Sequence, residues 1–481
     1  MKKSLAAALL LGAATVAGFA PFDIFPLPFA TLLFLFMLWR GATTAAYAAL
    51  IGFCWGLGFF LTGVSWIYVS LHDVGEMALP LAAAATALFC SCLALFPALT
   101  GYCFKRLAAR SPLADALLLA GLWTLGEWLR GANIAGFPWL SLAYSQTGWS
   151  PLAGYAPIIG SYGITFLLVL MAGLVAFNWW RGRALLIIVA LLCVGGVSRA
   201  IPWTKQTGKE ISVSLLQGNI PQSIKWDPTR LDLSFDTYRR LAKDHPAQLL
   251  VLPETAIPLL FDEIPPDYLR DLNGPNALLM GTAARTASGR YANAAMAMTG
   301  GSVDGGYAKS HLVPFGEYVP PGFAWFFDWV RIPMTNFEPG QNQKPLSIAG
   351  LKMAINICYE DAFGEEIIRQ LPEAEVLINL SNTAWFGHSL AQPQHLQMAR
   401  MRAMETGRPM LRATNTGMTA AIDANGKVTD LLPEFEEGAL TVDVQGYAGA
   451  TPFVLAGNGG ALLLAILAMM PAIMHRRRAA R

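Results

Sequence analysis

Charged residues fall in three blocks along this chain, and that distribution limits its possible folds more than any motif does. From Met1 to about Ala200, Lys, Arg, Asp and Glu are sparse. Between about Lys205 and Val444 they occur at the density of an ordinary soluble domain, and the chain then turns apolar again until His475. With 54% hydrophobic and only 14% charged residues over 481 positions, there are too few charges to cover a soluble surface. The apolar blocks are therefore expected in a bilayer. Three parts follow: a membrane bundle over 1–200, a soluble domain over 201–452, and a last membrane helix with a basic tail over 453–481. The net charge of +2, with no basic stripe, gives no indication of a nucleic-acid partner.

Apolar runs predict membrane helices over 5–19, 24–39, 43–61, 78–104, 113–129, 162–179, 184–197 and 453–474. Several are shorter than the roughly 20 residues of a spanning helix. The first, behind Lys2 and Lys3, resembles a secretory signal, but further apolar segments follow at once and it reads as a retained helix. Lys2 and Lys3, Arg40, Lys105 with Arg106 and Arg110, Arg181 with Arg183, and Arg476 to Arg478 fall at alternate ends of successive helices. The opposite ends are nearly free of Lys and Arg. By the positive-inside rule both termini are expected in the cytoplasm and the soluble domain on the outer side of the cytoplasmic (inner) membrane, which eight helices satisfy. The uncharged aromatic loop Gly136-Phe137-Pro138-Trp139-Leu140 suits the lipid surface. Glu127 and Arg130, three apart on one predicted helix, are expected to satisfy one another.

In the soluble stretch, short β-rich runs recur at 211–216, 249–252, 277–280, 294–299, 351–357, 376–380, 411–413 and 419–422. Helical patterns intervene at 229–243, 365–371 and 394–405, so one α/β domain is expected. No GxGxxG, P-loop or HExxH occurs, and the six His are scattered without metal-ligand spacing. Neither a metal nor another cofactor is expected. Five cysteines, Cys54, Cys90, Cys92, Cys103 and Cys193, lie in or at the ends of apolar segments. Cys358 alone lies in the soluble stretch, with no local partner for a disulfide.

Cys358 closes the buried-looking run 351–357 and is followed by Tyr359, Glu360 and Asp361. A side chain where a buried strand turns is rigidly held yet can reach a cleft, a good mount for a nucleophile. A free cysteine is also often a small core hydrophobe. Two other polar residues stand out: Glu254, just after the run 249–252, and Lys309, in Tyr307-Ala308-Lys309-Ser310-His311. Each alone reads equally as a turn or surface charge. Together they make a complete chemical set. A thiol of pKa about 8.5 needs a base or a cation at neutral pH. A carboxylate can take its proton and later return one to a leaving group. An ammonium can hold thiolate and oxyanion.

The segments around these three residues resemble the nitrilase (carbon–nitrogen hydrolase) superfamily, and the whole chain resembles the apolipoprotein N-acyltransferase family. The likeness is carried by Gly136 to Trp139, Gln217-Gly218-Asn219-Ile220-Pro221-Gln222 with Lys225-Trp226, and the run from His311 to Pro320. It continues in Cys358-Tyr359-Glu360, Ala384-Trp385-Phe386-Gly387 and Arg412-Ala413-Thr414-Asn415. Two positions depart from the family pattern: Ala143, where Gly is expected, and Thr383, where an acidic residue is usual. The resemblance implies an αββα sandwich with catalytic Glu254, Lys309 and Cys358, supported by Trp226, Glu317, Tyr359, Glu360 and Trp385.

The implied reaction moves the sn-1 acyl chain of a phospholipid such as phosphatidylethanolamine, through a thioester on Cys358, to the α-amine of the diacylglyceryl-cysteine of an apolipoprotein. An alternative with the same triad is a membrane-tethered nitrilase or amidase that transfers to water; it has no evident need for eight helices. A transporter or receptor that only binds ligand would have no use for the triad. The aromatic stretch from Phe323 to Val330 suits either core or an arm dipping into the lipid headgroups. If it is an arm, replacing Trp325 and Trp329 by Ser slows turnover of intact lipid and spares short soluble esters.

Overall fold

Long apolar helices and short strands segregate into two compact units. One comprises the chain up to Tyr68, Leu79–Pro202 and the chain from Thr451 onward; the other comprises Val69–Ala78 and Trp203–Ala450. The computed structural model describes residues 2–109, 111–131, 136–178, 182–319, 322, 336–341 and 343–479. The aromatic stretch 323–330 lies outside them.

The first unit holds a helix at each of the eight positions expected from the apolar runs. They are α1 (Lys2–Thr15), α2 (Leu27–Gly41), α3 (Ala45–Gly63), α4 (Leu79–Leu107), α5 (Pro112–Gly131), α6 (Ala156–Asn178), α7 (Gly182–Ser198) and a last helix, Gly459–Ala479. Among the described residues, three helical stretches are long and apolar enough to cross a membrane: Ala45–Gly63, Leu79–Leu107 and Pro151–Phe177. Small residues let α1 and α3 touch backbone to backbone, as membrane helices do in the absence of a hydrophobic driving force. A Cβ on Gly12 would meet the Trp55 carbonyl, and one on Gly58 the Leu9 carbonyl.

Glu127 and Arg130 do not pair in the way the spacing suggests. Glu127 accepts from Trp123 Nε1 at 3.1 Å and Leu142 N at 3.0 Å through one oxygen, and from Ser141 Oγ at 2.6 Å and Thr165 Oγ1 at 2.9 Å through the other. Arg130 donates to the carbonyls of Phe137 at 2.7 Å and Trp139 at 2.6 Å. Both charges are buried, and the loop after α5 offers each of them several partners where the other would offer one. They fix that loop. Ala143, within it, is buried and donates its N–H to Thr165 Oγ1 at 3.2 Å.

The second unit is a pair of six-stranded sheets. Their orders are β12-β1-β2-β3-β4-β5 and β11-β10-β9-β8-β7-β6. The first contains β1 (Thr204–Gln217), β2 (Leu249–Leu252), β3 (Ala277–Arg285), β4 (Tyr291–Thr299), β5 (Ser302–Ala308) and β12 (Gly438–Gly449). The second contains β6 (Leu346–Ile348), β7 (Leu351–Ile357), β8 (Val376–Ser381), β9 (Met410–Thr414), β10 (Ala420–Ile422) and β11 (Val428–Leu431). Strands β1, β2 and β3 run parallel, as do β7, β8 and β9, with antiparallel strands on both flanks. The central strands read as continuous apolar runs because both faces of each are covered.

Alternate residues face the two cores. Val213, Leu215, Leu249, Val251 and Leu279 meet Met353, Ile355, Ile357, Ile378 and Leu380 between the sheets. The intervening Leu250, Leu252, Leu278 and Met280 pack outward with Tyr238 and Leu241 of α8 (Leu231–Asp244) and Leu269 of α9 (Pro266–Asn273). On the other outer face, Ala354, Leu377 and Met410 pack with Leu396, Ala399 and Ala403 of α10 (Ala391–Thr406). The layers are helix, sheet, sheet, helix: the αββα sandwich expected from the resemblance.

Candidate active site

Glu254, Lys309 and Cys358 each stand at the end of a strand. Glu254 follows β2, Lys309 follows β5, and Cys358 follows β7, where it opens a short 3-10 turn, Cys358–Ala362. Cys358 has φ +56°, a left-handed conformation that costs a non-glycine residue of order 1–3 kcal/mol. The turn is held by its neighbours. Asn379 donates to the Cys358 carbonyl at 2.8 Å, and Glu360 accepts from Ile357 N at 2.7 Å.

Glu254 and Lys309 are both buried, with Nζ 3.6 Å from Oε1 of Glu254 and 3.0 Å from Oε1 of Glu317. The Asn293 amide donates to the same two oxygens at 2.7 Å each. The other oxygen of Glu254 accepts from Asn382 N at 2.7 Å, and that of Glu317 from Val313 N at 2.8 Å. Both carboxylates are thereby fixed in orientation. Burial would lower the Lys309 pKa, but Glu317 and Glu254 outweigh it and hold it well above the ordinary lysine value, so the ammonium persists.

The thiol is placed in the opposite regime. Burial first, then the negative charge of Glu254, pushes Cys358 well above an ordinary cysteine, against the pull of Lys309. The resting form of Cys358 is therefore S–H. Lys309 meets Glu254 directly, and Glu360 bonds both the loop after Lys309 and the strand end before Cys358, so the three residues lie in one region of the fold.

Glu360 is a hydrogen-bonding hub. It accepts from Ser310 N at 2.7 Å, Ser310 Oγ at 3.0 Å, His311 N at 3.1 Å and Tyr307 Oη at 3.0 Å, besides Ile357 N. It therefore ties the Cys358 turn to the Lys309 loop across the two sheets. Burial raises its pKa, and Lys309 with the backbone N–H groups pulls it back down. Tyr359 is buried edge-on to His311, ring centres 5.4 Å apart. Trp226 is half-buried beside Lys225, its indole N–H without a partner. Trp385 is half-buried in a turn following β8, and its carbonyl accepts from Ser70 Oγ at 2.7 Å. Thr383, in the same turn, is fully buried with Oγ1 3.4 Å from both Thr416 Oγ1 and the Gly417 carbonyl.

Sequence reasoning passed over a second buried cluster behind the nucleophile. Asp361 lies 3.0 Å from Arg412 Nη1 and 2.8 Å from His395 Nε2. Arg412 has only donors and points Nη2 at His395 Nδ1, 2.7 Å away, so that nitrogen accepts and Nε2–H donates to Asp361. Arg412 also holds Asn379 Oδ1 at 3.0 Å, and Asn379 holds Cys358. Asn293 was missed as well. The sequence signals for these groups were Arg412 within a motif that carries the resemblance and, for Asn379, a polar residue inside the mostly apolar β8.

Comparison with known proteins matches both parts of the chain. A family model described as the apolipoprotein N-acyltransferase N-terminal domain matches residues 11–174, and the carbon-nitrogen hydrolase model matches residues 212–453. The chain is 47% identical to an apolipoprotein N-acyltransferase of Nitrosomonas europaea, over 97% of this chain and 96% of that protein. It is 43% identical to one of Ralstonia nicotianae (98% and 93% covered) and 42% to one of Chromobacterium violaceum (96% and 93%). Among solved structures, a carbon-nitrogen hydrolase from Helicobacter pylori is 19% identical with a TM-score of 0.39, covering 49% of this chain and 89% of that one.

Proposed function

The chain belongs to the apolipoprotein N-acyltransferase family, and we propose that it transfers a phospholipid acyl chain to the N-terminal amine of diacylglyceryl apolipoproteins by a two-stage, ping-pong route through Cys358. The observation that carries this reading is the buried set of Glu254, Lys309 and Glu317 acting on a protonated thiol held in a strained turn.

In the first stage Cys358 Sγ attacks the sn-1 ester carbonyl while Glu254 takes the thiol proton. The tetrahedral oxyanion is held by the Lys309 ammonium and by backbone N–H groups of Tyr359 or Glu360. The C–O bond breaks, Glu254 returns its proton to the leaving alkoxide, and the lysophospholipid departs from a thioester. In the second stage the neutral α-amine attacks the thioester. Glu254 accepts the amine proton, and the thiolate leaves and is reprotonated. A thiol with a raised pKa suits this scheme, because proton transfer to Glu254 is coupled to attack and no free thiolate is exposed in the resting enzyme.

Both substrates are lipids, which accounts for a helical unit on a hydrolase-type domain. The donor is of the phosphatidylethanolamine type, and the hydrolase unit works at the outer face of the cytoplasmic membrane with both chain termini in the cytoplasm. Trp226 and Trp385, both half-buried, support substrate binding in this reading. Mass spectrometry of the purified protein incubated with phospholipid tests the scheme. A fatty acyl mass on Cys358, discharged by a diacylglyceryl peptide, is expected. Discharge to water alone, or no adduct, would overturn it.

A further inference from the structure

We propose that Lys225 is the second cation of this site, a positioning residue that keeps Glu254 ionised while it shares Asn293 and Lys309 with Glu317. The proposal rests on Glu254 being the base of the reaction above.

The charge balance of the buried groups raises the question. Glu254 and Glu317 each place Oε1 on the same Asn293 amide nitrogen at 2.7 Å and on the same Lys309 ammonium, at 3.6 and 3.0 Å. Two carboxylates that share both partners lie close to one another, and like charges so placed favour capture of a proton by one of them. A protonated Glu254 cannot take the thiol proton. One ammonium leaves the pair with a net negative charge, and the neighbouring Glu360, buried as well, adds another.

Lys225 supplies the missing positive charge. It closes the short turn Gln222–Lys225, is 3% exposed, and directs Nζ to the main-chain carbonyl of Glu254 at 3.4 Å. That contact is long for a charged donor. It forms no direct ion pair among the described residues, so its burial, costly for an ammonium, is not offset by a close partner. The turn is locked against the same corner: Gln222 Oε1 accepts from Asn382 Nδ2 at 2.9 Å, and Asn382 N donates to Glu254. Asp227, the nearest acid in sequence, spends its carboxylate on Thr229. Among the described residues, the charged and titratable groups at the site include Glu254 after β2, Lys309 and Glu317 around the loop after β5, Cys358, Tyr359, Glu360 and Asp361 after β7, Arg412 of β9, and Lys225. Burial brings Lys225 down to about 8 although Glu254 lifts it, so most of its charge is present at neutral pH.

The test follows the acid limb of Cys358 acylation with pH in single turnovers, in the full-length protein. Lys225→Met keeps the stem and removes the charge; Lys225→Gln serves as a second neutral variant if the first does not fold. The expected result is an acid limb displaced upward by at least one pH unit, restored toward wild type in Lys225→Arg. A limb that stays in place in the neutral variants, with or without a lower plateau, overturns the proposal and leaves Lys225 a packing residue. Difference infrared spectroscopy reads the same point without lipid. Lys225→Met should show the carbonyl stretch of a protonated buried carboxyl at a pH where wild type shows none, and its absence would count against the proposal. Should phospholipid leave no acyl group on Cys358 even in wild type, the acyl-transfer reading falls while the infrared titration still decides the role of Lys225.

Discussion

The side-chain amide of Asn293 sits 2.7 Å from Oε1 of Glu254, and a second 2.7 Å contact carries the same nitrogen to Glu317. Both acceptors are carboxylates, so the nitrogen must face them, and Oδ1 is left buried without a partner. Asn293→Leu strips one donor from each carboxylate at a cost of about 1–3 kcal/mol. Acylation of Cys358 is expected to slow by about tenfold to hundredfold on that scale. Asn293→Asp, which adds a third negative charge, should be worse. Single-turnover acylation rates check both.

The Cys358 thiol is expected to alkylate slowly at neutral pH and faster only in alkali, because burial and Glu254 both favour its protonated form. Glu254→Gln removes a negative charge and should move the alkylation profile to lower pH while abolishing acyl transfer. Lys309→Met should move it the other way. Iodoacetamide labelling against pH, read at the Cys358 peptide, separates these outcomes. A Glu254→Gln profile shifted to higher pH would contradict the assigned charge.

Glu360→Gln replaces one acceptor oxygen by an amide that faces donors from Ser310, His311, Tyr307 or Ile357. At least one buried donor must lose its partner. The Lys309 loop should loosen from the Cys358 turn, with acylation reduced by at least tenfold on the scale of about 1–3 kcal/mol per lost partner. Amide hydrogen exchange at Ser310 and His311 should quicken in step. Unchanged protection there would show that the loop is held by other contacts.

Arg412→Met leaves the buried Asp361 with His395 as its remaining side-chain partner. Breaking a buried pair from one side costs about 3–5 kcal/mol. Thermal unfolding of the purified variant should begin several degrees below wild type, and Asn379 should lose its grip on the Cys358 carbonyl. Wild-type melting would mean that the cluster contributes little to the fold.

The long apolar helices and the central apolar strands were legible from sequence. Strands β2 and β7 form over the residues expected because runs such as Leu249–Leu252 have only one way to bury both faces. Strands β5, β6, β11 and β12 were not seen: β6 has only three residues, the others are half-exposed, and Ser302–Ala308 carries two consecutive glycines that weaken any strand signal. Helix α9 escaped for a related reason, being only eight residues with a proline at its start. In the candidate site, Glu254 and Cys358 stood out because each follows a recognisable strand, whereas Lys309 follows the unseen β5 and was legible only as a polar residue in a buried-looking run. Asn293 and Asn379 are engaged by tertiary contacts between distant strands, which no local pattern records, and Lys225, though quoted beside Trp226 in the family likeness, gave no sign of its contact with the Glu254 carbonyl. Glu127 and Arg130 give the reverse case: their spacing was informative, but the surrounding loop offered better partners.

Residues Val69–Ala78, which connect α3 to α4, cluster with the sandwich rather than with the helices on either side of them. Ser70 there braces the Trp385 turn, and Val69 fills the space beside Gly387. Cutting the gene at residue 203 to obtain a bilayer-free fragment would therefore discard a piece of that fragment's own scaffold. A ten-residue peptide added back, or spliced on through a flexible tether, would be needed to rebuild it.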